Sequence, residues 1–228
     1  MESLNSIRKQ FALLRANNKT VNGTIEIVGA SFRADDHYIF GKENKDYIQR
    51  ELDWYQSQSL SVFDIPGGTP KIWQQVSSDT GLINSNYGYL LMSEENGSQI
   101  ENVVVSLVED RESRRAVAIY TRPSMHHDWN RDNMRDFICT NAVHYLIRDN
   151  KLEVVVQMRS NDAIFGYRND YAWQKFAQRE VIGRLAANSI YVDEGPMTWQ
   201  VSSLHIYERH FNLVDKYIKT GIAYTDLS

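Results

Sequence analysis

The chain has 228 residues, a formal net charge of −4 at pH 7, 42% hydrophobic residues and 24% charged residues. This length is sufficient for one large domain with a substantial core. The negative charge argues against a general nucleic-acid-binding protein, although a local arginine cluster can still bind a small phosphorylated ligand. Residues 1–22 lack the apolar region of a signal peptide. No apolar run approaches the ~20 residues of a membrane span.

The chain contains a single cysteine, Cys139. One cysteine cannot form an internal disulfide, so we expect a reducing compartment, the cytoplasm. Repeats, low-complexity stretches and linkers are absent, and the loops at 57–61 and 64–70 connect elements rather than domains. We therefore expect one domain over residues 1–228.

Hydrophobic periodicity predicts helices and strands in irregular succession. In chain order these are a helix over 3–16, a strand over 23–32, a helix over 46–56, strands over 103–108 and 116–120, a hairpin of strands 137–147 and 152–158 turning at 148–151, a helix over 170–187, a strand over 198–205 and a helix over 206–219. Mixed elements without strict alternation favour an α+β fold over a doubly wound sheet.

Cys139 is a candidate nucleophile. A lone cysteine is more often a small buried hydrophobe. Here Arg135 and Arg159 flank it, and a nearby guanidinium is expected to lower the pKa of a thiol and favour the reactive thiolate. Arg159-Ser160 on the following strand also has the composition of an anion site. These residues predict a thiol beside a bound anion.

Glu51 is a candidate for proton transfer. It lies in the predicted helix 46–56, where a carboxylate on the solvated face is the ordinary alternative. If Glu51 faces a closed pocket instead, desolvation raises its pKa and makes it suitable for proton transfer.

Two further pairs are candidates for binding a sugar or a phosphate. His205 and Tyr207 are two residues apart, so a strand places both on one face, either as donors to a sugar or as the polar tips of a half-buried strand. Arg114 and Arg115 either clamp a phosphate or are solvated surface residues. The remaining histidines show no metal-ligand spacing, and we expect no metal site.

These motifs, in this order and spacing, resemble those of the thymidylate synthase family over nearly the whole chain. The resemblance implies a thymidylate synthase-like fold, with a large mixed β-sheet packed by helices and one sheet face forming a homodimer interface. It implies catalytic roles for Cys139, Glu51 and Asp170. It implies nucleotide binding by Arg159, Ser160, Asn161, Asp162, His205, Tyr207, Asn169 and Lys19, and by Arg114 and Arg115 reaching across the dimer. It implies folate binding by Trp73, Tyr87, Asp162 and Gly166.

Segments 64–66, 83–88, 120–125 and 168–174 are similar to a bacteriophage branch of this family that hydroxymethylates dCMP. That branch uses 5,10-methylenetetrahydrofolate and water. The implied partners are dCMP, the folate, a second copy of the chain and other phage nucleotide-synthesis enzymes, with no membrane and no nucleic acid. The implied location is the host cytoplasm.

The sequence also departs from the family pattern. Synthases have a histidine directly after the nucleophile and a glutamine directly before Arg-Ser, whereas this chain has Thr140 and Met158. Lys19 stands where the family has an arginine. The C-terminal segment 221–228 does not resemble the synthase segment that closes over the folate.

Asp170 is predicted to decide which base is accepted. The family has an asparagine eleven residues after the phosphate-binding arginine, and Arg159 plus eleven is Asp170, with Gly166 in register. An ionised carboxylate only accepts hydrogen bonds, so it suits the 4-amino group of cytosine and not the 4-oxo group of uracil. Asn169 and Asp170 are also good helix N-cap residues, and a slip by one residue would place Asn169 at the base and favour uracil.

The alternatives are a thymidylate synthase, a dUMP or CMP hydroxymethylase of the same fold, and a non-catalytic nucleotide-binding assembly subunit. The base opposite Asp170 separates a thymidylate synthase and a dUMP hydroxymethylase from a dCMP enzyme. It does not separate a CMP hydroxymethylase, because His205 and Tyr207 alone do not exclude a 2′-hydroxyl. Intact Cys139, Glu51 and Arg159 argue against the third, because a binding module needs no nucleophile.

Overall fold

The computed structural model describes residues 1–224. The helices are α1 (Leu4–Ala16), α2 (Lys45–Ser57), α3 (Lys71–Val76), α4 (Tyr87–Met92), α5 (Gln99–Glu109), α6 (Met125–Asp128), α7 (Phe165–Ala187) and α8 (Phe211–Thr220). The strands are β1 (Glu2–Ser3), β2 (Thr24–Arg33), β3 (Val117–Ile119), β4 (Thr140–Arg148), β5 (Lys151–Asp162) and β6 (Asp193–Tyr207). Mixed helices and strands confirm the α+β prediction.

The strands form one six-stranded sheet in the order β1-β2-β6-β5-β4-β3. Its pairing is mixed: β1 and β2 are parallel, as are β5 and β6, while the other pairs are antiparallel. The long helix α7 packs on the two central strands, β5 and β6. Residues at the end of β5 and at the start of α7 are therefore neighbours.

The β4–β5 hairpin is confirmed, with Arg148 paired to Lys151. The two residues between them, Asp149 and Asn150, have φ values of 48° and 58°. Asparagine and aspartate tolerate this left-handed conformation, which a two-residue hairpin turn requires. The hairpin fixes the register that places the residues before β4 beside the end of β5.

The two faces of the sheet differ in burial. On β5, Val154 and Val156 are fully buried, whereas Val155 between them is half-exposed although its strand is central. Side chains alternate between the faces of a strand, so one face lies under the helices and the other is uncovered. The buried apolar residues form one cluster that extends from Leu4 to Val214.

Three of the predicted elements were wrong in type or in position. The predicted strand 103–108 lies within α5, where Val103, Val104 and Leu107 are buried at helical spacing; a short apolar run does not distinguish a strand from a buried helix. Helix α7 begins at Phe165, five residues before the predicted start. The last helix begins at Phe211 because β6 continues to Tyr207.

The short helices α3, α4 and α6 were not predicted, because each is too short to show a helical period of apolar residues. Within residues 1–224, no helix is long and apolar enough to cross a membrane.

Candidate active site

Several predicted residues meet where the β4–β5 pair approaches the first turns of α7. Cys139 directly precedes β4, and its backbone carbonyl accepts a hydrogen bond from the backbone N–H of Arg159 on β5 (2.9 Å). Asp170, on the second turn of α7, is close enough for its charge to affect the thiol of Cys139. Glu51 on α2 is close enough to affect Asp170. The sheet and two helices therefore bring the three predicted catalytic residues together.

Arg159 is held beside the sulfur by its own backbone neighbours. Its Nε donates to the carbonyl of Ile138 (3.0 Å), and its Nη2 donates to the carbonyl of Phe137 (2.6 Å) and lies 3.5 Å from Cys139 Sγ. The guanidinium also lies 4.8 Å from the centroid of the Phe137 ring. A fixed cation therefore lies next to the sulfur, where the sequence predicted an anion site, and the binding of an anion there stays a prediction.

The expectation of a lowered thiol pKa was wrong. Burial raises the pKa of Cys139 to about 11, and the opposing effect of Arg159 is smaller. Negative charge on Asp170 and Asp136 adds to the rise. Arg135 is exposed and is not among the groups that shift this pKa. In the free protein, Cys139 is therefore a protonated thiol at neutral pH.

Alkylation of the free protein should report this pKa. Because Cys139 is the only cysteine, one iodoacetamide adduct measured by mass spectrometry follows this thiol alone. With a pKa of about 11, the alkylation rate should rise about tenfold per pH unit between pH 7 and 10 and be about 10²-fold below that of free cysteine at pH 8. A rate that levels off near pH 8 would contradict the raised pKa.

Glu51 is buried, with 5% of its surface exposed. Its Oε1 accepts hydrogen bonds from Tyr47 Oη (2.8 Å) and from Trp73 Nε1 (3.1 Å). Burial raises the pKa of Glu51, while these two donors and the amide of Asn169 oppose the rise. Glu51 thus combines a raised pKa with partners that stabilise its ionised form, which suits a group that gains and loses a proton.

Replacing Tyr47 with phenylalanine removes one of these donors and keeps the ring. The pKa of Glu51 should rise, so the limb of the pH–rate profile on which Glu51 ionises should move to higher pH by about one unit. Steady-state kcat measured from pH 5 to 9 tests this. Trp73→Phe removes the second donor and should move the limb in the same direction, and an unmoved limb in both variants would rule out this role for the donors.

Asp170 lies inside α7 and is not the cap that begins it. Its Oδ2 accepts a hydrogen bond from Asn161 Nδ2 (2.7 Å). Although the residue is half-buried, its carboxyl lies deep enough that burial raises its pKa well above the ordinary value, and the charge of Glu51 raises it further. Burial and the charge of Glu51 therefore both favour the protonated form of this carboxyl, a shift in pKa that the sequence analysis did not include.

Asn169 and Asp170 reach different groups. Asn169 lowers the pKa of Glu51 through a side-chain hydrogen bond. Asp170 instead raises the pKa of Cys139 and accepts a hydrogen bond from Asn161. Neighbouring residues on a helix do not share a face, so only one of the two can lie beside the thiol. The geometry favours the register in which Asp170 is that residue.

Two glycines permit close packing at the site. A Cβ on Gly166 would lie 3.0 Å from Asn161 Nδ2 and 3.7 Å from Asp170 Oδ2, so it would crowd the hydrogen bond between those side chains. A Cβ on Gly88 would lie 1.7 Å from the carbonyl oxygen of Tyr55, which no side chain can do. Gly166 therefore leaves room for the hydrogen bond between Asn161 and Asp170, and Gly88 allows α4 to pack on α2.

Aromatic rings form one wall of the site. Tyr87 on α4 packs against Tyr55 (ring centroids 5.4 Å apart), and its Oη accepts a hydrogen bond from Thr140 Oγ1 (3.0 Å). Trp73 on α3 packs edge-to-face on Trp54, with centroids 5.0 Å apart. Thr140, which stands where synthases have a histidine, is thus paired with Tyr87. Both Trp73 and Tyr87 belong to the predicted folate-binding set.

The remaining nucleotide-binding candidates lie on β5 and β6, which run parallel. Ser160 and Asp162 pair in register with Ser203 and His205. The rings of His205 and Tyr207 are 5.0 Å apart, as expected for one face, and Tyr207 is 37% exposed. Asp162 is occupied locally, because its Oδ1 accepts from the backbone N–H of Ile164 (2.9 Å).

Three predicted cations are not brought into this cluster. Lys19 lies in the α1–β2 loop, and Arg114 and Arg115 precede β3; all three are exposed. None of their side chains bonds another candidate residue within residues 1–224. The arginine pair was predicted to act on a partner subunit, so its distance from this cluster does not contradict that role.

Sequence reasoning missed Tyr47 and Trp199. Tyr47 is one helical turn before Glu51, and this spacing of four residues was an available signal. Trp199 Nε1 donates to Asn161 Oδ1 (3.2 Å), a contact between two strands that no local pattern reveals. Among residues 1–224, His, Cys, Asp and Glu form no group that could hold a metal ion. Residues 225–228 of the C-terminal segment 221–228 lie outside the described part of the chain.

The motif resemblance implied a thiol next to a sheet strand, with an arginine beside it and a carboxyl nearby on the following helix. The structure brings Cys139, Arg159 and Asp170 together in this way. The thymidylate synthase family model matches residues 6–224. The chain belongs to the thymidylate synthase family.

Individual relatives are more specific. The deoxycytidylate 5-hydroxymethyltransferase of Enterobacteria phage T4 is 55% identical over 206 residues, which is 90% of this chain and 84% of that protein. The protein of the same name from Enterobacteria phage T2 has the same identity and coverage. The fold is similar to that of the thermostable thymidylate synthase A from Bacillus subtilis, with a TM-score of 0.69, 19% identity, and coverage of 95% of this chain and 84% of that one. The resemblance predicted from the motifs is confirmed.

Proposed function

We propose that this protein is a deoxycytidylate 5-hydroxymethyltransferase, which converts dCMP, 5,10-methylenetetrahydrofolate and water to 5-hydroxymethyl-dCMP and tetrahydrofolate. The observation that carries the proposal is the carboxyl of Asp170 beside Cys139, at the position where the family has an amide. The 55% identity to phage deoxycytidylate 5-hydroxymethyltransferases supports it.

A carboxyl that holds one proton matches cytosine. The 4-amino group of cytosine donates and its N3 accepts, so Asp170 can accept from the amino group and give its proton to N3. Uracil already has a proton on N3 and cannot take the proton of Asp170, so Asp170 would have to keep that proton as a donor to the 4-oxo group. A site built around one hydrogen-bonding pattern can reject the other by about 10⁴-fold.

Cys139 starts the chemistry. Transfer of the Asp170 proton to N3 makes C6 more electrophilic, and the ionised Asp170 stabilises the positive charge that the ring carries until the sulfur adds. The free thiol is protonated, so it loses its proton to water as the Sγ–C6 bond forms. The adduct is neutral, and addition at C6 turns C5 into a carbon nucleophile.

The folate would supply to C5 a one-carbon unit at the oxidation level of formaldehyde. Trp73 and Tyr87 fit a flat aromatic ligand, because both rings belong to the aromatic wall, with Trp73 next to Glu51 and Tyr87 packed on Tyr55. Loss of the C5 proton and departure of tetrahydrofolate would leave an exocyclic methylene on the ring. Glu51 would order the water that adds to this carbon and take the proton of that water. A hydroxymethyl group has the same oxidation level as formaldehyde, so the addition of water to the one-carbon unit needs no reductant. Departure of Cys139 from C6 restores the ring.

The phosphate would be bound by Arg159 and Ser160 of one subunit and by Arg114 and Arg115 of the partner. The dimer would form through the uncovered face of the sheet, on which Val155 remains half-exposed in the single chain. A central strand residue of this kind is normally covered. Lys19, His205 and Tyr207 would complete the nucleotide site. The host cytoplasm and association with other phage nucleotide-synthesis enzymes remain predictions.

Tritium release from C5 of labelled dCMP, with and without methylenetetrahydrofolate, tests the proposal, with product identified by mass. We expect folate-dependent release from dCMP, a product heavier by one hydroxymethyl group, and much slower release from labelled dUMP and CMP. Faster turnover of dUMP would instead support a thymidylate synthase or a dUMP hydroxymethylase. Nucleotide binding without any release would support an assembly subunit.

A further inference from the structure

Asn161 lies behind Asp170 and connects it to the core of the sheet. Asn161 is 4% exposed, on β5, and Trp199 is fully buried on the neighbouring strand β6. Trp199 Nε1 donates to Asn161 Oδ1 (3.2 Å), and Asn161 Nδ2 donates to Asp170 Oδ2 (2.7 Å). The three side chains form a chain of two hydrogen bonds that ends at the carboxyl of Asp170.

The direction of this chain is fixed by chemistry. An indole N–H only donates, so the oxygen of Asn161 must face Trp199 and its NH₂ group must face Asp170. The Trp199 ring cannot turn freely, because it packs edge-to-face on Tyr167 with centroids 5.3 Å apart. The amide of Asn161 is therefore locked in one orientation, and Asp170 Oδ2 always meets a donor.

We infer that Asn161, oriented by Trp199, is a positioning residue that keeps Asp170 an acceptor and thereby sets the preference for cytosine over uracil. The inference rests on the proposed function, since it assumes that Asp170 meets the base. With cytosine, Asp170 gives its proton to N3 and becomes ionised, and the Asn161 hydrogen bond stabilises that form. With uracil, Asp170 must keep a proton for the 4-oxo group, and the Asn161 donor opposes it.

The charged and titratable groups around Asp170 do not replace this role. They come from α2, α4, β5 and the residue before β4, and are Glu51, Tyr55, Tyr87, Asp162 and Cys139. The negative charges of Glu51 and Asp162 favour the protonated carboxyl, whereas Asn161 favours the ionised carboxyl. Among these influences Asn161 is the one that stabilises the acceptor form.

The test is Asn161→Leu, which keeps the branching of the side chain and removes the donor. We expect the ratio of kcat/KM for dCMP to kcat/KM for dUMP to fall by at least about tenfold. The fall in kcat/KM for dCMP at high pH, where Asp170 has lost its proton before binding, should move to higher pH, because the stabilised ionised form is lost. A purely structural role would change neither the ratio nor the pH profile.

Two further variants test the same role, one by removing the indole donor and one as a control. Trp199→Phe removes the indole N–H together with part of the ring and should lower the same ratio by a smaller factor. It decides the question if Asn161→Leu does not fold. Gln178→Leu is the matched control: Gln178 is a buried amide on α7 that bonds the carbonyls of Leu152 and Gly195, so its loss should lower stability without moving the ratio.

The outcomes distinguish a failure of the proposed function from a failure of the role inferred for Asn161. A wild-type protein that turns over dCMP no better than dUMP overturns the proposed function, and this inference with it. A wild-type protein selective for dCMP, with the ratio unchanged in Asn161→Leu and in Trp199→Phe, overturns the inference alone.

Discussion

Replacing Cys139 with serine is expected to lower turnover of dCMP by at least about 10⁴-fold, because removing a covalent nucleophile eliminates the path that depends on it. A hydroxyl is a far weaker nucleophile than a thiol, and no other cysteine is present to take its place. Folate-dependent tritium release, followed at saturating dCMP, measures the loss.

Binding should survive the same change. Serine leaves Arg159 bonded to the carbonyls of Phe137 and Ile138, so the anion site keeps its shape. Isothermal titration of the variant with dCMP is the control, and we expect affinity within a fewfold of the wild-type protein. Substantial turnover in the variant would exclude the covalent mechanism.

Replacing Asp170 with asparagine is expected to move the preference from dCMP to dUMP, with the ratio of their kcat/KM values changing by about 10³-fold or more. An amide donates and accepts at the same time, which matches the 4-oxo group and the N3 proton of uracil. The amide also has no proton to give to N3 of cytosine. Competition kinetics with both nucleotides in one reaction measure the ratio directly.

The neighbouring position supplies the matched control. Asn169→Asp should alter the rate through Glu51, on which Asn169 acts, but should leave the base preference where it was. The opposite pattern, in which position 169 moves the preference and position 170 does not, would restore the shifted register in which Asn169 faces the base.

Much of this site could be predicted from the chain because its parts are local. The Arg-Ser-Asn-Asp run ends a strand, His205 and Tyr207 share a face, and Glu51 lies on one helix with the aromatic residues that follow it. Each of these depends on spacing within one element. The hairpin was predictable for the same reason, since Asp149 and Asn150 are residues that accept a positive φ.

The protonation states could not be predicted, because they depend on burial by distant elements. Desolvation raises the pKa of the Cys139 thiol more than Arg159 lowers it. Only the assembled fold shows which of the two effects is larger. The same holds for Asp170, whose pKa is raised by the burial of its carboxyl and by the charge of Glu51. The partners Tyr47 and Trp199 come from packing across elements.

The fixed direction of the Trp199–Asn161 hydrogen bond has a consequence for how base preference can change during evolution. An amide introduced at position 170 would meet the same Asn161 NH₂ group, so its oxygen would turn inward and its own NH₂ group would turn toward the pocket. That orientation suits a 4-oxo pyrimidine without any second adjustment. We therefore expect a single exchange at position 170 to change the preferred base without a compensating change at Asn161 or Trp199.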